Sequence, residues 1–145
     1  MKDLIWYQRS DQRLSAWREF RLNLDQLSLE TALQEVCTLW SFAPYVTYYL
    51  DPAKPQEWPD PWQLLSDDIY CTLARGLGIL YTIALADRKD IKDAVLIEIE
   101  GDNLVLVNQS KYILNWEPDT IVNINLGPKN PRHCVSLEQI KQQIK

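Results

Sequence analysis

The chain is poor in the residue types from which catalytic and metal centres are most often built. One histidine, His133, and three cysteines, Cys37, Cys71 and Cys134, are spread over 145 residues. A lone imidazole and scattered thiols build no recognisable zinc site, so neither a metal nor another cofactor is expected. The odd, widely spaced cysteines fit neither a disulfide framework nor a CxxC pair, and they indicate a reducing compartment. No apolar run approaches the ~20 residues that cross a bilayer, so no membrane partner is expected. Met1-Lys2-Asp3 leads into no apolar signal stretch, so the expected location is cytoplasmic or virion, without a signal peptide. Positive charge is short as well: 15 Lys+Arg against 20 Asp+Glu leave a formal charge of −5. Binding a polyanion releases counterions at a basic surface, and scattered lysines and arginines provide none, so nucleic acid is not an expected partner.

What is present fits a folded domain. Hydrophobic residues make up 46% and charged residues 24% of the chain, the ordinary globular range. The length suits one domain with one core, read as a single α+β domain over 1–145. Residues 1–50 read as N-terminal strands and an amphipathic helix. Ile5-Trp6-Tyr7 reads as extended, Ser10-Asp11-Gln12 as a turn, and Phe20, Leu22 and Leu24 alternate with Arg21 and Asn23 like a half-buried strand. Ser28 is placed to cap a helix whose Leu29, Ala32, Leu33, Val36, Leu39 and Trp40 recur at helical spacing until Pro44. Residues 51–65 are a stiff loop, because four prolines and two tryptophans lie between Asp51 and Trp62.

Ser66-Asp67-Asp68 has the form of an N-cap with two acids in the first turn, which predicts a helix over 66–86. That segment is apolar nearly all round, the pattern of a buried central helix. Gly76 and Gly78 cost it about 1 kcal/mol each, a cost consistent with close approach of another backbone. From 94 to 126 the period changes to that of strands. Val95, Ile97 and Ile99 alternate, Gly101-Asp102 reads as a hairpin turn, and Asn103–Val107 returns. Asn108-Gln109-Ser110 and Pro118-Asp119 turn again, with strands at Lys111–Trp116 and Ile121–Leu126. After a Pro128–Pro131 loop, Ser136-Leu137-Glu138-Gln139 is a capping box opening a tail helix over 136–145. Helices followed by an antiparallel meander define the α+β class, a buried central helix packed on the meander.

Cys71 stands near the start of the central helix, where unpaired N–H groups and the dipole favour a thiolate. A buried, inert cysteine is the competing reading. The stretch from Tyr70 through Cys71-Thr72-Leu73-Ala74 to Ile79 resembles the nucleophile helix of the transglutaminase-like, papain-fold superfamily. The stretch from Asn103 to Asn115 is similar to that family's next hairpin, and the likeness covers roughly residues 64–118. The resemblance implies a transglutaminase-like core in which Cys71 occupies the nucleophile position. It puts the family histidine at Asp102 or Asn103 and the family aspartate near Asn115. Asp and Asn are not general bases poised near neutral pH as imidazole is, so the resemblance implies a degenerate, non-catalytic member. His133 could rescue a Cys71–His133 pair from the C-terminal loop in a different chain order. The segments Asp3–Arg9, Trp58–Trp62 and Lys111–Asn115 are also similar to small tailed-bacteriophage proteins of unassigned activity, which implies a phage-encoded origin.

Six tryptophans and seven tyrosines are many for this length. Trp58 and Trp62 flank Pro59-Asp60-Pro61, preceded by Tyr45, Tyr48 and Tyr49, and aromatics on a stiff scaffold are suited to binding a protein partner. Three functions follow as expectations. The first is a non-catalytic binding or structural protein of a virion or its assembly, with protein partners from phage or host. The second is a cysteine hydrolase or acyltransferase using Cys71, and the third is an acidic, aromatic protein that occupies a groove on a host target.

Overall fold

The computed structural model describes residues 2–117, 120–122 and 132–144. A 3-10 turn at Lys2–Tyr7 leads into helix α1 (Ser10–Asn23), and α2 spans Leu29–Ser41. A short α3 (Pro61–Leu65) precedes the central α4 (Thr72–Ala86). Strands β1 (Ala94–Ile99), β2 (Asp102–Val107), β3 (Tyr112–Glu117), β4 (Thr120–Val122) and β5 (Arg132–Ser136) follow, then α5 (Leu137–Gln143). The α+β class is as expected. The sheet is antiparallel in the order β4-β3-β2-β1-β5, so the anticipated meander carries an additional strand on its β1 edge.

The N-terminal strands are corrected to helix. The buried positions of α1 are Arg13 and Trp17, with half-buried Phe20 between them and Leu24, which is the helical spacing. An arginine on the inward face breaks the apolar stripe, and the leftover alternation of Phe20, Leu22 and Leu24 mimics a strand. Arg13 is buried with both terminal nitrogens engaged. Its Nη1 donates to the carbonyls of Leu65 (2.9 Å) and Asp67 (2.6 Å), and its Nη2 to those of Trp6 (3.2 Å) and Gln8 (3.1 Å).

The same arginine explains why α4 starts six residues later than its sequence suggests. Ser66 is the C-cap of α3 and not an N-cap, and Tyr70 forms a parallel bridge with Tyr45. Tyr70 N–H donates to the Pro44 carbonyl at 2.8 Å, and Val46 N–H donates to the Tyr70 carbonyl at 3.0 Å. Residues 66–70 are thus tied on both sides in non-helical form, which tertiary contact imposes over local capping chemistry. The loop expected over 51–65 contains α3, since Pro61 occupies the first helical position, where its missing N–H costs nothing. Ser28 caps α2 through Thr31 N–H, and Ser136 forms its capping box with Gln139, both as the sequence indicates. The first hairpin turns at Glu100-Gly101, both with positive φ, one residue before the expected Gly101-Asp102, because Asp102 pairs with Ile99. The Pro118-Asp119 turn, the 123–126 part of the fourth strand and the Pro128–Pro131 loop lie outside the described residues.

Helix α4 packs on the sheet face carrying Leu96, Val105 and Leu114 and is flanked by α1, α2 and α3. The opposite sheet face buries Ile97, Ile99, Leu104 and Ile113. Thr82 is the point where α1, α2 and α4 meet. Its hydroxyl accepts the indole N–H of Trp17 (3.1 Å) and of Trp40 (3.0 Å) and donates to the Gly78 carbonyl at 2.7 Å. A hydroxyl has one proton and two lone pairs, so its capacity is filled. Gly78 is required beside it, because a Cβ there would stand 2.3 Å from the Trp40 ring. The close approach expected at Gly78 is therefore to an indole and not to a backbone. Thr82→Val leaves two buried indole donors unpaired and is expected to lower unfolding free energy by about 2–5 kcal/mol, while Thr82→Ser stays within about 1 kcal/mol of wild type. Urea unfolding of the two variants distinguishes them.

Candidate functional site

Cys71 is the N-cap residue of α4, with extended backbone, and is 4% exposed. Its side chain makes no cap hydrogen bond to the helix. The two family-like positions converge on the adjacent residue. Asn103 is the second residue of β2 and is 7% exposed, and its Oδ1 accepts the Thr72 hydroxyl at 3.1 Å. Asn115 lies on β3, and its Nδ2 donates to the Asn103 carbonyl (2.7 Å) and the Thr72 carbonyl (3.1 Å). The helix start and two strands are thereby stitched together by two carboxamides and a hydroxyl. Gly76 permits this approach, since a Cβ there would lie 2.8 Å from Leu96 Cδ1 and 3.4 Å from Asn115 Nδ2.

Asn115 adopts φ 69°, the left-handed region that asparagine tolerates better than most residues. Both asparagines therefore have structural partners, and neither carries a group able to take a proton from sulfur near neutral pH. His133 is on β5, separated from β2 by β1, and its side chain lies outside the described residues. The C-terminal loop expected to carry it is a strand at that point, because the chain pairs with β1 from Arg132 to Ser136. Asp102 is exposed at the hairpin end.

On the other side of Cys71, Tyr49 donates its hydroxyl to Asp67 Oδ2 at 2.8 Å. Burial, then this hydrogen bond and the Asp67 charge, push the Tyr49 hydroxyl up to about 12, with the Cys71 thiol adding to the effect. Burial raises the Asp67 carboxyl above its ordinary value, although the Tyr49 hydroxyl opposes the shift. Neither group is an available base for the thiol at neutral pH: the phenol is protonated and the carboxylate is engaged by it.

The aromatic residues divide. Tyr48 is 66% exposed and Trp62 45% exposed, as a partner surface requires. Trp58 is half-buried and donates its indole N–H to the Asp51 carbonyl at 2.9 Å, while Tyr49 turns inward to Asp67. These two hold the 51–60 loop and the α3–α4 connection in place. Tyr45 is exposed as well, Phe42 is an exposed aromatic that the sequence did not single out, and Ile69, expected on the inward face of the central helix, is exposed because the helix begins only after Cys71. The unusual density of aromatics before Pro52 was the available signal. Among the described residues no group of three His, Cys, Asp or Glu side chains could hold a metal, and no helix is long and apolar enough to cross a membrane.

An α+β chain with an asparagine-locked cysteine helix is thus the class that fold and site define. No family model, curated protein or solved structure matches it.

Two outcomes test the site's construction. Asn115→Ala removes both carboxamide hydrogen bonds and is disfavoured in left-handed backbone, whereas Asn115→Gly removes only the former. Thermal or urea unfolding should place the glycine variant about 1 kcal/mol above the alanine variant. Asp67 has a raised carboxyl in the folded state, so the native protein holds its proton more tightly than the unfolded chain. Its contribution favours folding below the unfolded carboxylate range and is lost as pH rises through the raised folded value. The stability of wild type relative to Asp67→Asn, from urea midpoints between pH 3 and 7, should therefore fall as pH rises.

Proposed function

We propose that the protein is a non-catalytic binding module on a transglutaminase-like core, in which the family's histidine and aspartate positions have become structural asparagines. The observation that carries this reading is the pair of Asn115 hydrogen bonds, which commit the third position to Thr72 and Asn103 and leave it no role at the sulfur. Support comes also from the order of elements: a cysteine at the N-cap of a buried helix, followed by a hairpin whose two strands meet that helix end. The exposed Phe42, Tyr45, Tyr48 and Ile69 beside that end supply the apolar surface that a binding role needs. Likeness of three short segments to tailed-phage proteins supports a place for such a module in a virion or its assembly, with a protein partner. The same aromatic surface, on a chain of net charge −5, also suits the alternative role of binding a host protein.

Alkylation mapped by peptide mass spectrometry tests the reading. With iodoacetamide at neutral pH, Cys71 is expected to react only at the rate of global unfolding, with no acceleration between pH 6 and 8 beyond that of unfolding itself. Rapid native labelling of Cys71, with a pH midpoint below that of an ordinary thiol, would reinstate a cysteine enzyme.

A further inference from the structure

Each of the other buried or half-buried arginines whose side chain is described is matched to oxygen acceptors. Arg13 holds four backbone carbonyls, Arg75 donates to the Ala43 carbonyl, and Arg88 bonds Asp90 together with the carbonyls of Leu24 and Leu27. Arg21 is the exception. Its guanidinium lies 4.3 Å from the centre of the Trp17 ring and 5.9 Å from that of Trp62, beside a fully buried indole and one 45% exposed. The two rings meet edge-on at 6.0 Å, so indoles and guanidinium form one three-membered cluster. The Arg21 Nε is buried with no hydrogen-bond partner, as are those of Arg13 and Arg75, but Arg21 differs from both in having no oxygen acceptor on its terminal nitrogens, and no carboxylate lies within ion-pair distance of Arg21 or Arg18 among the described residues. Arg18 is exposed three residues earlier on the same helix face. Burial first, and then the like charge of Arg18, lower the Arg21 guanidinium from its ordinary value.

We propose that Arg21, Arg18 and Trp62 form a binding site for an oxyanion carried on a flat apolar group. The guanidinium is partly desolvated and pre-aimed by two rings, so an incoming carboxylate or phosphate meets a donor fork whose rotamer entropy is already lost. The exposed Trp62 ring offers a stacking face beside that fork, and arginine with tryptophan is the pairing that concentrates binding energy at interfaces. An anion also relieves the repulsion between the two arginines. This site is on the α1–α3 side of the molecule and does not depend on the state of Cys71.

The test is a titration of the full-length protein followed by the Arg21 Nε–H and Trp62 indole N–H signals in nitrogen–proton correlation spectra. Benzoate and phenyl phosphate serve as ring-bearing carboxylate and phosphate, acetate and inorganic phosphate as the bare anions, and benzyl alcohol as the uncharged ring. Saturable shifts confined to these two side chains are expected with the ring-bearing anions, at lower concentration than with the bare ones, and none with benzyl alcohol. Whichever of benzoate and phenyl phosphate saturates first assigns the anion type. Arg21→Gln should weaken binding about tenfold or more, as loss of a charge-assisted hydrogen bond does. Arg18→Gln, at an exposed position that leaves the stack intact, should weaken it severalfold with an unchanged thermal midpoint. Absence of saturation with both ring-bearing anions, an equal response to benzyl alcohol, or unaltered binding in Arg18→Gln would overturn the site; should Arg21→Gln fail to fold, the Arg18 variant decides.

Discussion

Three helices of this protein are organised around one hydroxyl. Thr82 lies on the buried central helix, and its oxygen receives the indole protons of Trp17 and Trp40 while its own proton goes to the Gly78 carbonyl. Tryptophan brings a large apolar area but also a donor that must be paired when buried. One threonine satisfies two such donors, which allows α1 and α2 to bury tryptophans against the same turn of α4. Because the glycine at 78 makes room for the Trp40 ring, polar satisfaction and steric fit at this junction are one condition.

Arg13 performs a comparable task at the edge of the core. Its four carbonyl acceptors belong to the N-terminal turn and to the stretch between α3 and α4, chain segments more than fifty residues apart. A carbonyl outside regular structure must find a donor when it is buried, and the planar guanidinium reaches several at once. That is why residues 66–70 need not be helical despite a favourable capping sequence.

Helix α2, the β1–β3 meander and the two serine caps were legible because each rests on local chemistry: periodic apolar residues, turn residues and a hydroxyl before a helix. Helix α1 was not, since its inward face includes an arginine whose burial depends on partners distant in sequence. Strand β5 was not, because it is short, follows a proline-rich stretch and pairs with a strand nearly forty residues earlier. At the site, Cys71 was expected within a helix that begins at 66 and is its N-cap instead, and the convergence of Asn103 and Asn115 on Thr72 was not legible, because it joins a helix end to two strands distant in sequence. The inward turn of Trp58 and Tyr49 could not be read from composition, because a proline-rich loop presents its aromatics according to which carbonyl or carboxylate each can reach. The contrast between Arg21 and its fellow arginines was equally hidden: it is defined by absent partners.

The position of β5 bears on how the chain is made. Strand β1 is interior, bordered by β2 and β5, yet β5 emerges last among the strands. During synthesis at roughly 5–20 residues per second, the far edge of β1 stays without its neighbour for a few seconds after the first hairpin has emerged. An open strand edge of this kind is a template for intermolecular pairing. Nascent chains on crowded ribosomes would be most vulnerable to mutual association in that interval, and arrival of the Arg132–Ser136 segment ends it.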